Sequence, residues 1–141
     1  MGWGGTGYRG WPIATGGSAI CYVADGSSEG VSGTTSGTFV QKLLVSFTAV
    51  LGVRYHIHSY LELEAPDDED VEGEVTINTV QYAFCHFKNY PYATRWSQMN
   101  GAFYQSNALS GNQDIRINWR NGFGAGTKNI RRARILVTQC P

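Results

Sequence analysis

The stretch Asn112–Gln139, NQDIRINWRNGFGAGTKNIRRARILVTQ, decides the fold. Ile115, Ile117 and Trp119 alternate with Asp114, Arg116, Asn118 and Arg120, the period-two pattern of a strand with one buried face. Asn121-Gly122, Gly124 and Gly126 then supply residues that tolerate positive φ, and the chain returns through Thr127 to Val137. The spacing predicts two antiparallel strands joined as a hairpin by a glycine-rich turn. On the return, apolar residues fall at Ile130 and then at Ala133, Ile135 and Val137. That change of parity predicts a β-bulge at Arg131–Arg132, where one extra residue re-aims the strand.

Working outward, the remaining chain must supply the sheets that cover this ribbon. Its 141 residues are the usual size of one domain. Glycine, threonine, serine, asparagine and aromatics take the place of charged residues, which suits short strands and tight turns and is poor for long helices. Phe39–Thr48 reads as a strand with Phe39, Leu43, Val45 and Phe47 on one face. Val53–Glu64 is the cleanest half-buried strand, with Tyr55, Ile57, Leu61 and Leu63 alternating with Arg54, His56, His58, Tyr60, Glu62 and Glu64. Ala65–Glu74 reads as an acidic loop, Val75–Phe87 as a further strand, and Thr94–Phe103 as a short helix or an edge strand. The fold class expected is all-β, an antiparallel β-sandwich over residues 37–141 preceded by a glycine-rich arm over residues 1–36.

Ten of the eighteen glycines lie in that arm, spaced among Trp3, Tyr8, Trp11, Ile13, Ile20, Tyr22 and Val23. Glycine makes such a segment costly to order, and its aromatics expose apolar surface unless they dock. Two readings follow. Either the arm packs on its own domain, with Ile20–Ala24 as a first strand, or it orders on a neighbouring subunit with Trp3, Tyr8 and Trp11 as anchors.

The charge balance is zero, which argues against nucleic-acid binding by bulk charge. No run of 18 apolar residues is available to span a membrane, and the opening residues lack the basic and apolar regions of a secretory signal. Cys21, Cys85 and Cys140 have neither disulfide-framework nor zinc spacing and read as buried free thiols. The charges are nevertheless segregated along the chain. Eight of the eleven acids fall between Glu62 and Glu74, and six of the eleven bases, Arg116, Arg120, Lys128, Arg131, Arg132 and Arg134, fall in the closing strands. Either two opposed patches meet charged partners, including copies of the chain, or the acids fold back on the arginines.

Other constellations point less far. His56 and His58 share a strand face, and Cys85 and His86 on a second strand complete a conceivable zinc set if the strands are neighbours. The acidic loop 65–74 offers oxygens for calcium but lacks EF-hand order. No GxSxG elbow, HExxH, P-loop or dinucleotide fingerprint is present, so no catalytic residue and no cofactor is assigned. Tyr60, Tyr82, Tyr90, Tyr92, Trp96, Tyr104 and Trp119 provide stacking surface for a carbohydrate-binding module.

Several segments carry a family resemblance. Thr38-Phe39-Val40-Gln41-Lys42-Leu43, then Gly52-Val53-Arg54-Tyr55-His56-Ile57, resemble body strands of small jelly-roll virion accessory proteins of tailed bacteriophages. Ile115-Arg116-Ile117-Asn118-Trp119-Arg120 and the ending Ile130-Arg131-Arg132-Ala133-Arg134-Ile135 look like that family's closing strands. The resemblance covers roughly residues 37–139 and departs at the acidic insert 65–74. It implies a non-enzymatic capsid decoration or cement protein, made in the host cytoplasm and carried on the virion, with a tail or head-fibre component as the alternative. Its partners would be the major capsid protein or other virion subunits. Trp3, Tyr8, Trp11 and the closing-strand arginines Arg116, Arg120, Arg131, Arg132 and Arg134 are the contact residues assigned to that role.

Overall fold

A computed structural model describes residues 21–90 and 96–140, with backbone alone at 100–103, 105 and 140. The strands are β1 (Cys21–Ser28), β2 (Ser32–Thr34), β3 (Val40–Ala49), β4 (Arg54–Glu64), β5 (Asp70–Ile77), β6 (Val80–Lys88), β7 (Ser97–Ser106), β8 (Gly111–Phe123) and β9 (Lys128–Cys140). Among the described residues there is no helix. One sheet runs β1-β9-β4-β7, with β2 continuing the β1 edge along β9, and the other runs β3-β8-β5-β6. Every pairing is antiparallel.

This order is that of a jelly roll. β1 pairs with β9, β3 with β8, β4 with β7 and β5 with β6, so the chain is a long ribbon doubled back at the β5–β6 turn. Rolling that ribbon brings β9 against β4 and β8 against β5, which closes each sheet. The sandwich expected from the alternation is therefore present, with Ile57, Leu61, Val71, Val75, Ile115, Ile117, Ile130 and Val137 buried between the sheets.

The closing strands correct one expectation. β8 and β9 are not partners in a hairpin; they lie in opposite sheets, and residues 124–127 cross between them. Each is central in its own sheet, β8 between β3 and β5 and β9 between β1 and β4. Their apolar rows, Ile115, Ile117 and Trp119 against Ile130, Ala133, Ile135 and Val137, all point into the core. Period two reveals a buried face but not the neighbour to which a strand bonds.

The crossing is pinned by Lys128, whose side chain is wholly buried. Its ammonium donates to Glu69 and to the Gly126 carbonyl at 2.9 Å, while Trp119 Nε1 donates to the Lys128 carbonyl at 3.3 Å. A lysine is found this deep only when paired. Gly126 is required here, since a Cβ would stand 2.6 Å from Pro66 and 2.8 Å from the Glu69 carboxylate, which accepts from the Gly126 N–H.

Other boundaries also move. Val75–Phe87 is two strands, joined by a two-residue turn in which Asn78 and Thr79 have φ of 49° and 80°. Asp70–Glu74 belongs to β5, so only the first half of the acidic segment is loop. Of Thr94–Phe103, the part from Ser97 onward lies in edge strand β7, the second of the two readings, and residues 94–95 lie outside the described residues. Residues 21–28 and 32–34 are strands of the sandwich paired with β9, the first of the two readings for that part of the arm, and Trp3, Tyr8 and Trp11 lie outside the described residues. Cys21 is exposed rather than buried, because it opens the edge strand β1; Cys85 packs against the core, where burial pushes its thiol up to about 11.

Both central turn residues at 78–79 need positive φ, which asparagine accepts and a β-branched threonine resists. Relief of that strain, about 1–3 kcal/mol, exceeds the unfolded-state entropy that glycine adds, about 0.4–1 kcal/mol. Thr79→Gly is expected to raise unfolding free energy by about 1 kcal/mol in urea titration; a loss of stability would show that the threonine is not strained.

Candidate functional site

A buried carboxylate with three donors lies on the outer face of the β1-β9-β4-β7 sheet, where the bulge foreseen at Arg131–Arg132 is present. Tyr60 is opposite Arg134 but Glu62 is opposite Arg131, so two residues of β9 stand against Leu61 alone. Arg132 takes φ 50° to allow it. Ile130 and Ala133 both face the core, and Arg131 and Arg132 both turn outward to the same carboxylate.

That carboxylate is Glu62, whose side chain is 1% exposed. Arg131 Nε donates to Oε2 at 2.5 Å, Arg132 Nη1 to Oε1 at 3.1 Å, and the Tyr60 hydroxyl to Oε1 at 2.5 Å. Trp96 lies over the Arg131 guanidinium at 4.1 Å. Burial pushes the Glu62 carboxyl up, yet the hydrogen bonds from Tyr60, Arg131 and Arg132 outweigh it and hold the group below its ordinary range.

Next along β9, Arg134 donates to both oxygens of Glu29, at 2.7 and 3.0 Å, and its hydrogen bonds keep the exposed Glu29 carboxyl low. Its guanidinium sits 5.9 Å from the centre of the Tyr60 ring. Across the three strands, Ser27, Arg134 and Tyr60 form one outward row and Asp25, Leu136 and His58 the next. Together they floor an open groove of about 430 Å³.

All six closing-strand bases are ion-paired within the chain. Arg116 meets Asp114 at 2.7 Å, Arg120 meets Glu72 at 2.6 Å, and Lys128, Arg131, Arg132 and Arg134 are paired as above. Pairing of β5 with β8 sets Glu72 opposite Arg120, and Glu69 reaches the β8–β9 crossing, so the acids fold back on the arginines. The described residues therefore do not form two opposed patches. The zinc set does not assemble either: His56 and His58 lie on one sheet, whereas Cys85 and His86 lie on the other. His86 instead meets Asp70 at 3.0 Å, and among the described residues no three His, Cys, Asp or Glu side chains converge as a cation site needs. Of the stacking candidates, Trp119 is core, Tyr82 and Tyr104 pack against the core, and Tyr92 lies outside the described residues. Tyr60 and Trp96 remain beside the arginines, and Tyr90 is exposed elsewhere.

No protein-family model and no curated protein matches the chain. Among solved structures, dimeric latent PorU from Porphyromonas gingivalis is similar with a TM-score of 0.51 at 15% identity, over 94% of this chain and 14% of that one. The CBM36-1 domain of a multidomain xylanase from the hindgut metagenome of Trinervitermes trinervoides is similar with a TM-score of 0.36 at 10% identity, over 84% of this chain and 95% of that domain. What the likeness to PorU shows is the fold. The chain spans only 14% of the PorU chain's length.

Glu62 yields a prediction whose sign is fixed. A carboxyl depressed in the folded state stabilises above its unfolded pKa, and that contribution is lost as pH falls through the folded value. Thermal stability is expected to hold from neutrality to about pH 5 and to fall below it, as Glu62, Glu69 and Glu29, all depressed, take up protons. Glu62→Gln removes the partner of two arginines that still reach water, so its cost at pH 7 should be about 3 kcal/mol, the low end for a broken buried pair. The variant's acid decline should also be shallower; an unchanged decline in differential scanning calorimetry would refute the assignment.

Proposed function

We propose that this chain is a non-catalytic structural subunit of a tailed-phage virion that attaches to the shell as a decoration protein. The supporting observation is a group of exposed apolar side chains at the end of the sandwich where β1 begins, although Val31, Tyr90 and Phe123 are also exposed at the other end. Val50 and Leu51, in the β3–β4 turn, and Val80, just after the β5–β6 turn, are 60%, 69% and 70% exposed. Strand pairing puts both turns at one end of the sandwich: Ala49 is opposite Gly111, and Ile77 lies next to Ile115. β1 starts at that end too, with Cys21 opposite Gln139 and Tyr55 opposite the same residue. The Trp3, Tyr8 and Trp11 segment thus joins the domain where the apolar tips project.

The closing-strand arginines are ion-paired within the chain, so the attachment proposed here draws first on apolar contact. Valine and leucine side chains largely exposed at turn tips gain little in a monomer and much when a partner covers them. Repetition on a lattice lets each site bind modestly and the assembly bind firmly. The jelly-roll order agrees with the resemblance of residues 37–139 to virion accessory proteins.

Reconstitution on purified particles lacking the protein tests this. Deleting residues 1–14, or introducing Leu51→Asp or Val80→Asp, should lower occupancy about tenfold or more while the melting temperature stays near that of the parent. Unchanged occupancy in all three would end the proposal. A copy number that follows the shell lattice supports decoration, whereas one that follows tail symmetry transfers the protein to a tail or fibre position.

A further inference from the structure

The groove on the outer face of the β1-β9-β4-β7 sheet does not include the turn tips at Val50, Leu51 and Val80 and is not used by attachment there. We infer that it is a binding site for a neutral hexopyranose of a glycan, a reading independent of the virion proposal.

Its composition selects the ligand. Arg134 is held in a plane by two hydrogen bonds to Glu29, at 2.7 and 3.0 Å, so donors and acceptors stand side by side at fixed spacing. Vicinal hydroxyls of a sugar offer the matching pair, since each hydroxyl both donates and accepts. Asp25, steadied by the Tyr22 hydroxyl at 2.7 Å, provides a second acceptor on the neighbouring row. Tyr60, fixed by its bond to Glu62, and Leu136 give apolar surface for the C–H face of a pyranose ring.

Charge narrows the class. The groove holds two carboxylates, Asp25 and Glu29, against one guanidinium whose charge is already matched. An anionic sugar would meet net repulsion, whereas a neutral one loses little on leaving water for these groups. The span from β1 across β9 to β4 is two strand spacings, roughly 10 Å, and about 430 Å³ falls within the range of small-ligand sites. The groove is open rather than enclosed, which suits the end or side of a surface glycan.

The test uses the full chain on an array carrying neutral hexose and N-acetylhexosamine glycans beside sialylated and uronic-acid glycans, then calorimetric titration with the best free oligosaccharide. Neutral glycans should bind above background and anionic ones should not. Arg134→Met should weaken binding about tenfold or more with a melting temperature near that of the parent, since its exposed ion pair with Glu29 contributes little to stability. Tyr60→Phe, which keeps the ring, should stay within about threefold, since most of that residue's contribution is apolar area. Binding confined to anionic glycans, binding to none, or full affinity in Arg134→Met would each overturn the inference.

Discussion

A carboxylate sealed inside a protein surface must be matched group for group or it will not stay ionised, and Glu62 sets that demand on the outer face of the β1-β9-β4-β7 sheet. Regular pairing would leave it one cross-strand arginine. The bulge in β9 gives it two, because consecutive residues Arg131 and Arg132 then share a face, and Tyr60 adds a third donor. Arg132 accepts a left-handed backbone for this purpose, a cost of order 1–3 kcal/mol for a non-glycine residue. A slip by one residue would break the clasp and turn Ala133, Ile135 and Val137 outward. The clasp and the core row thus enforce the same register, and that register places Arg134 beside Tyr60 and Glu29 in the groove.

Lys128 and Glu69 do for the two-sheet arrangement what Glu62 does for one sheet. The chain must leave β8 in one layer and enter β9 in the other within residues 124–127. Burying Lys128 at the first position of β9 fixes where that crossing lands, provided the β4–β5 loop returns to supply Glu69. Asn89 holds the same loop from the β6 side, donating to the Ala65 carbonyl at 2.9 Å and to Asp67 at 3.2 Å. The acidic segment is therefore structural at Glu69, Glu72 and Glu74, each of which meets a partner on β8 or at the crossing.

What could be read from residues alone divides along physical lines. Alternation exposed β4 and β8 with their buried rows, and the parity break in β9 disclosed its bulge, since both are local properties of a pleated strand. Sheet membership was hidden, because Ile115 and Ile130 look the same whether their strands bond edge to edge or face across a core. The β5–β6 turn was missed for want of glycine: Asn78-Thr79 carries half of the usual signal, and threonine argues against it. Glu62 sat unmarked in an outward row, for its burial depends on arginines about seventy residues later. Asp25 and Glu29 were assigned to an arm and so were not associated with the groove they border.

The two roles proposed above would fall on separate surfaces. Apolar tips at an end can be covered by a large partner without touching the sheet face, and the face can take a small polar ligand without burying the tips. The sheet face is locked by Glu62, Arg131 and the stacked Trp96, so its donors and acceptors keep fixed spacing, the requirement for discriminating hydroxyl geometry. The turns that carry Val50, Leu51 and Val80 are tied down as well: the Val50 N–H donates to the Tyr55 hydroxyl at 2.9 Å, and Asn78 donates to Gln113 at 2.8 Å and accepts from the Asp114 N–H at 2.7 Å. Apolar contact there has no preferred direction. The sheet face thus offers directional contacts, and the turn tips offer non-directional ones.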